Sequence, residues 1–390
     1  MPAPIDFTPD ENGVYHLPDG IYFGLPEAIY HADDALGSTS IKDLATKPCL
    51  WQYDRLRPRR ETETEYLTWG RAWHCRVLEG SEAFDSRYAR PPRPEDFPGC
   101  LVTADDVKEF LRMSGQRLTG AKAELVARAK GCDDCPPIFD ELLAAWRAEH
   151  PDYVELTPRQ VQEIEDAVKN MQRDPTLAAV MQAGTLTDGA AEISIFYTES
   201  GIRRKARFDY GLGRAGARTK SLVIDLKSFT TFRGGSDEEA AISKLYDFAY
   251  DVQSAWYLRA FRAAKRLLAE GLVFGNAPQN GYIESFFGAE AIDWVWVMIR
   301  RDAGVVPVVV SIAGDISVED EDGTIHTYPD PIIEHADRII DDTLDVYRFY
   351  VDLWGLDQLW TPPPKVPLRL NASMFPTYNR GLSYEQPAAR

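Results

Sequence analysis

Residues 222–229 read LVIDLKSF, and two of them are charged in a stretch that otherwise reads as a buried β-strand. Asp225 and Lys227 are two apart, so in a strand they point to the same face. Burying a carboxylate and an ammonium is costly unless they are paired or bind something. Upstream, AAEISIF and RKARFDYGL place Glu192 and Asp209 near strand positions, joined around the turn Glu199-Ser200-Gly201 as a hairpin. Glu192, Asp209 and Asp225 together would bring up to three carboxylates next to one lysine. Clustered carboxylates repel unless they are protonated or neutralised by a cation. Hard oxygen ligands suit Mg²⁺ or Mn²⁺, which keep water positions open for phosphate chemistry. A plain Asp–Lys ion pair at a strand end would read the same way. The order of segments separates the two readings: acid, strand, acid, about fifteen residues, D-x-K, then a helix with Gln and Tyr on one side.

The elements that must position these residues follow from period and punctuation. Residues 1–35 read as an irregular lead-in with the aromatic stretch GIYFGLPEAIYH. Ser38 or Ser40 is the expected N-cap of a helix running from Ile41 to Leu56 and ending near Pro58. YLTWGRAWHCRVLEG puts Leu67, Gly70, Trp73, His74 and Val77 on one helical face. Residues 85–100, rich in Pro and Arg, read as a linker, and 136–183 as mostly helical, with Thr157-Pro158 as cap and first-turn proline. After the hairpin and SLVIDLKSF, residues 239–270 return to helical spacing with Ala249, Val252, Gln253, Trp256, Tyr257 and Ala260 along one side. YIESFF, DWVWVMIR and VVPVVVSI read as further strands, and an acidic helix is expected around 333–353.

This order resembles the PDDEXK nuclease superfamily, and within it the RecB-like branch, where a helix after the core strands carries Q-x-x-x-Y. Gln253-Ser-Ala-Trp-Tyr257 matches that motif, and His74 in G-x-x-x-H (Gly70 to His74) matches the upstream helix of the branch. The likeness is greatest to RecE-like phage and prophage exonucleases of the exonuclease VIII type, in which an opening like GIYFGLPEAIYHADDALGSTSIKDL precedes the histidine helix. It spans roughly residues 20–260. The family often has Pro before the first metal-binding Asp, where this chain has Phe208. The resemblance implies that Asp209 and Asp225 ligate Mg²⁺ (Mn²⁺ substituting), with the Leu226 carbonyl, His74 and Glu192 completing the site. Lys227 would orient or deprotonate the attacking water. Gln253, Tyr257 and Arg207 would hold the DNA strand or wall the site. A histidine beside Trp73 is otherwise an ordinary packed core residue.

Residues 101–131, LVTADDVKEFLRMSGQRLTGAKAELVARAKG, read as helix, loop, helix, with Thr103 as first cap, an end at Gly115 and Gly120 before the second helix. Gly120, Lys122, Glu124 and Leu125 match the G-x-K-x-E-L of a SAP motif, which the unit resembles. The resemblance implies contact with duplex DNA, with Arg117 and Lys122 among the binding residues. The unit carries six bases against four acids. An amphipathic helical insertion without a ligand is the other reading. Cys132-Asp-Asp-Cys135 is a CxxC, open to zinc, redox chemistry or neither.

Composition bounds the remainder. The chain has 390 residues, 44% of them hydrophobic, and five scattered cysteines, which suggests a reducing compartment. No apolar run reaches 18 residues, and MPAPIDFTPDENG lacks the basic and apolar parts of a secretion signal, so a cytoplasmic protein with no membrane contact is expected. No G-x-x-x-x-G-K-[ST] loop and no nucleophile elbow occur, which excludes a P-loop motor and argues against a serine hydrolase. The net charge is −18, yet Ser200–Lys227 holds eight bases against two acids, and Asp315–Asp345 eleven acids against one base. An acidic total of that kind does not exclude DNA.

The expected fold is α/β: a PDDEXK nuclease core with a mixed central sheet flanked by helices and a SAP-like insertion. The expected division is 1–100 as the N-terminal part with the histidine helix, 101–131 as the insertion, 136–355 as the nuclease core and 356–390 as a Pro-rich tail. The resemblance further implies 5′→3′ exonuclease action on linear double-stranded DNA, a ring-shaped homo-oligomer and a RecT-like single-strand annealing partner. An endonuclease, a single-strand exonuclease or a DNA-binding protein with a vestigial site are the alternatives.

Overall fold

The computed structural model describes residues 7–57, 64–214, 220–230, 235–279, 281–302, 304–320, 322 and 324–362. Arg218 and most of the Pro-rich tail, from residue 363 on, therefore lie outside the described residues. A mixed sheet of seven strands forms the centre, in the order Val273–Gly275, Gly20–Phe23, Gly189–Glu199, Ile202–Leu212, Ser221–Phe229, Ile292–Arg300, Pro307–Ala313. The hairpin strands and the Asp225 strand run antiparallel in sequence, whereas the Asp225 strand and Ile292–Arg300 pair parallel. Strands covered on both faces read as unbroken apolar runs, which is why LVIDLKSF and DWVWVMIR lack strict alternation.

Helices cover both faces. Ser38–Thr46, Tyr250–Ala269, Tyr282–Phe287 and Pro331–Trp354 pack on one, around Trp256, Phe261, Phe286 and Trp294. Glu65–Leu78 and Pro158–Arg173 pack on the other, around Trp69, Trp73, Ile164 and Met171. Thr64 and Thr157 cap these last two by accepting from Leu67 and Gln160 backbone N–H groups. Residues 101–138 build a small core of their own from Leu101, Val107, Leu111, Leu125, Ala129 and Ile138. Its helices, Ala104–Met113 and Lys122–Lys130, begin after a Thr103 capping box and after Gly120, which stands at φ +138.

Several elements differ from expectation. YIESFF is the short helix Tyr282–Phe287, not a strand: it runs from Gly281 to Gly288, and its Phe286 and Phe287 pack against Phe261. The helix expected to start at Ile41 is two, Ser38–Thr46 and Pro48–Leu56, because Pro48 starts a new first turn. Gly37, without a side-chain bond, is the first one's cap. The segment 239–270 is likewise divided, at Ala249. In the His74 helix, Leu67 lies at the surface while Trp69, Ala72 and Trp73 are buried. The presumed linker 85–100 holds a two-residue strand, Tyr88–Ala89, paired with Val154–Glu155.

Candidate functional site

The site opens where two strands part. Between Ile202–Leu212 and Ser221–Phe229 the ladder pairs Leu212 with Leu222, Gly211 with Val223 and Tyr210 with Ile224, and then stops. The next pair in that register is Asp209 and Asp225. Instead of a ladder bond, the Asp209 carboxylate accepts the Leu226 N–H at 2.8 Å. The buried donor is thus satisfied by a side chain, and the strands splay.

The hairpin is irregular at the same level. Ala191 pairs with Tyr210 and Ile193 with Phe208, so Glu192 stands opposite Asp209. Ala191 and Tyr210 face one core, whereas Ile193 and Phe208 face the other, so the alternation of faces shifts on both strands at the two acids. Glu192 takes this up at φ 54, a conformation non-glycine residues enter at a cost and keep mainly at functional sites.

Asp225 has no exposed surface. Its Oδ1 accepts from Gln253 Nε2 at 3.0 Å, and its Oδ2 lies 2.5 Å from Lys227 Nζ, an ion pair without the alignment of a hydrogen bond. Burial raises the Asp225 carboxyl to about 6 despite Lys227. Burial alone would lower Lys227, but Asp225 and then Asp209 outweigh it and hold the ammonium far above its ordinary value. Asp209 is also raised by burial. Glu192 is raised to about 7, burial outweighing its ion pair with Arg207.

His74 is held neutral, lowered to about 4 by burial and then by Lys227. Its Nε2 lies 3.0 Å from the Leu226 carbonyl, which only accepts, so the proton sits on Nε2 and Nδ1 carries a lone pair. Nδ1 faces Asp209 Oδ2 at 3.9 Å. Two electron-rich atoms facing each other in a buried site repel unless the carboxyl takes a proton or a cation lies between them. One ligand atom each from His74, Glu192 and Asp209 falls within 4.8 Å of the others, the single such group among the described residues. These donors fit a divalent metal, and a histidine that passes its second N–H to a backbone carbonyl is oriented as metal-bound histidines are. One imidazole with two carboxylates suits Mn²⁺ at least as well as Mg²⁺.

The structure therefore brings together His74, Glu192, Asp209, Asp225, Leu226, Lys227 and Gln253. Asp225 lies outside the group of three, turned to Lys227 and Gln253, and the Leu226 carbonyl serves as the imidazole's acceptor. Tyr257 is buried behind the site against Phe208 and Trp294, so it walls the site and exposes little to a ligand. Arg207 is committed to Glu192. Lys122 and Arg117 lie in the separate 101–138 unit, Lys122 bound to Asp140 at 2.6 Å and Arg117 to Thr119. Sequence reasoning missed Tyr250, whose ring lies 5.1 Å from Lys227 Nζ. Its spacing offered a signal, since 250, 253 and 257 fall on one helical face. Tyr66, which bonds the Ser228 carbonyl, gave none.

No protein-family model matches the chain, and no curated protein matches it in sequence. Among solved structures, a protein from Eubacterium rectale named "Putative exonuclease" is 13% identical, with 85% of this chain and 97% of that one covered at a TM-score of 0.29. A protein named SSO0001 is 16% identical over 53% of this chain and 85% of that one, at a TM-score of 0.21. Overlaps this slight carry no argument, and the functional reading stands on the site. No helix among the described residues is long and apolar enough to cross a membrane.

Proposed function

We propose that this chain is a metal-dependent deoxyribonuclease of the RecE-like PDDEXK type, hydrolysing linear double-stranded DNA 5′→3′. The observation that carries the reading is the convergence of His74, Glu192 and Asp209 at the point where the Asp209 and Asp225 strands part, with Lys227 beside it. His74, Asp209 and Glu192 would hold Mg²⁺ or Mn²⁺, with Asp225 at its edge. When bound, the metal would supply charge to the scissile phosphate and to the leaving oxygen. Lys227, kept as an ammonium by its carboxylates, donates: it orients the attacking water and meets negative charge on the phosphate. Its raised affinity for its proton argues against abstraction, and Asp225, at about 6, is the better acceptor. Gln253 fixes Asp225, and Tyr257 closes the wall.

In this reading the 101–131 unit acts as a SAP-like tether. Its Lys122 and the neighbouring Lys130 sit in exposed ion pairs with Asp140 and Glu141. Such pairs are weak and can be exchanged for phosphate. A homo-oligomeric ring, a RecT-like annealing partner and a cytoplasmic location complete the proposal. The test is to incubate the protein with linear duplex and covalently closed circular DNA in Mg²⁺ and in Mn²⁺. Loss of the linear form to mononucleotides with the circle intact, abolished by Asp225→Asn, is the expected result. Cutting of the circle would replace the exonuclease by an endonuclease, and survival of both would return Asp225 and Lys227 to a structural pair.

A further inference from the structure

The helix Asp237–Asp247 and the Gln253 helix, Tyr250–Ala269, meet at Phe248 and Ala249, and Ala249 stands at φ 48. A non-glycine residue in the left-handed region is kept where its surroundings demand it. The turn presents large apolar side chains to solvent: Tyr246 is 76% exposed, Phe248 51% and Ile242 46%. Ile242 and Tyr246 are one helical turn apart and share a face. Rings this open contribute little to the core.

Two further observations give the patch a direction. It is rimmed by amines: Lys244 Nζ, in a surface pair with Asp247 at 3.4 Å, lies 5.5 Å from the Phe248 ring centroid, and Lys42 Nζ donates to the Phe248 carbonyl at 3.2 Å while lying 5.4 Å from the Tyr250 ring. It is also continuous with the candidate active site. Phe248 stacks on Tyr250, with centroids 5.7 Å apart and planes at 23°, and Tyr250 in turn lies 5.1 Å from Lys227 Nζ.

We propose that Phe248 and Tyr246 form a nucleobase-stacking platform, which receives a base of the strand whose phosphate reaches Lys227. This rests on the nuclease reading and names how its substrate is held. Aromatic faces accept any base, because every base has a π-face, and amines beside them meet the backbone phosphates. The platform therefore holds single-stranded DNA without reading sequence.

The experiment compares two single-stranded oligonucleotides of equal length, one of thymidines and one with abasic sites at its terminal positions, binding the full chain in EDTA. The wild type should favour the base-bearing strand about tenfold. Tyr246→Ala with Phe248→Ala should abolish that preference. Phe248→Trp should retain it, with the introduced indole quenched on binding. In Mg²⁺ the double variant's defect should fall mainly on KM. Equal binding of both strands by the wild type, or a preference that survives in the double variant, overturns the platform. So does self-association of the wild type that the double variant loses, which would make the patch a protein contact. Should the double variant fail to fold, the wild-type comparison and the Phe248→Trp quench decide alone. DNA cutting without base preference sinks the platform but leaves the nuclease; base preference without cutting in Mg²⁺ or Mn²⁺ does the reverse.

Discussion

Replacing Lys227 by methionine removes the ammonium 2.5 Å from Asp225 Oδ2 and strands a fully buried carboxyl that, among the described residues, keeps Gln253 as its donor. Breaking a buried pair in this way costs about 3–5 kcal/mol. Part of that cost depends on pH, because the stranded group can take a proton. Each pH unit over which the folded state holds a proton that the unfolded chain has released costs about 1.4 kcal/mol. A carboxyl raised on folding contributes stability below its unfolded value and loses it as pH climbs through its folded value. In the wild type that interval runs from 3.8 to about 6. Without Lys227 it stays open at pH 7.5, so the variant's deficit should grow by about 2 kcal/mol between pH 6 and 7.5. Adding Asp225→Asn removes the stranded charge and should recover about 2–4 kcal/mol at pH 7.5, a coupling expected of residues in contact. Urea unfolding of the two single variants, the double variant and the wild type, all in EDTA, measures both quantities. A deficit that is the same at the two pH values, or a double variant no more stable than Lys227→Met, would refute the burial argument.

Gln253→Ala should cost about 1.5–3 kcal/mol, since it removes a hydrogen bond to a buried carboxylate, and should lose more hydrolysis at low pH than Gln253→Glu, whose protonated carboxyl can still donate to Asp225; unfolding and rate assays in parallel check this. Asp209→Ala orphans the Leu226 N–H and should be about 1–3 kcal/mol less stable than Asp209→Asn, which keeps an acceptor, while both lose hydrolysis. Saturating Mn²⁺ at a hundred times its dissociation constant should stabilise the wild type by about 2.7 kcal/mol, and His74→Ala should lose most of that; thermal melts with and without metal report it. Lys122→Gln should lower the salt dependence of duplex binding by about one phosphate contact, whereas Arg203→Gln should leave it unchanged, because Arg203 is tied to Asp33 and Asp34.

What was legible in the sequence was what rests on local period. The side-by-side placement of Asp225 and Lys227 follows from two-residue alternation, and the Gln253 helix from its spacing. Thr157-Pro158 and Thr103 begin helices where cap chemistry says they should. Tertiary contact decided the rest. YIESFF carries the aromatic residues of a strand, yet Tyr282 and Phe286 stack on one face of a single helical turn and fill space beside Phe261, which a strand there would not do. Nothing in the run around Ala249 announces a break, since neither Gly nor Pro stands there. The positive φ of Glu192 was equally silent: only the demand that two strands shift faces together creates it.

The basic run between Ser200 and Lys227 shows why local charge density is a poor guide to where a polyanion binds. Arg203 holds buried Asp33, Arg204 lies under Tyr197 and Trp256 and binds Glu199, and Lys205 donates to the Tyr30 and Asp33 carbonyls at 2.8 and 2.6 Å. Arg207 goes to Glu192, and Lys227 to Asp225. Apart from Lys227, which borders the candidate site, these cations are fastened to acids and carbonyls of the fold and leave little field for DNA. The acidic excess therefore makes the site depend on what is brought to it. A divalent cation held by His74 and Asp209 would relieve their facing lone pairs and, in the proposed reaction, supply charge to the scissile phosphate. Arg207 engages Glu192 Oε2 and leaves the second carboxylate oxygen to a metal that His74 and Asp209 would hold with it.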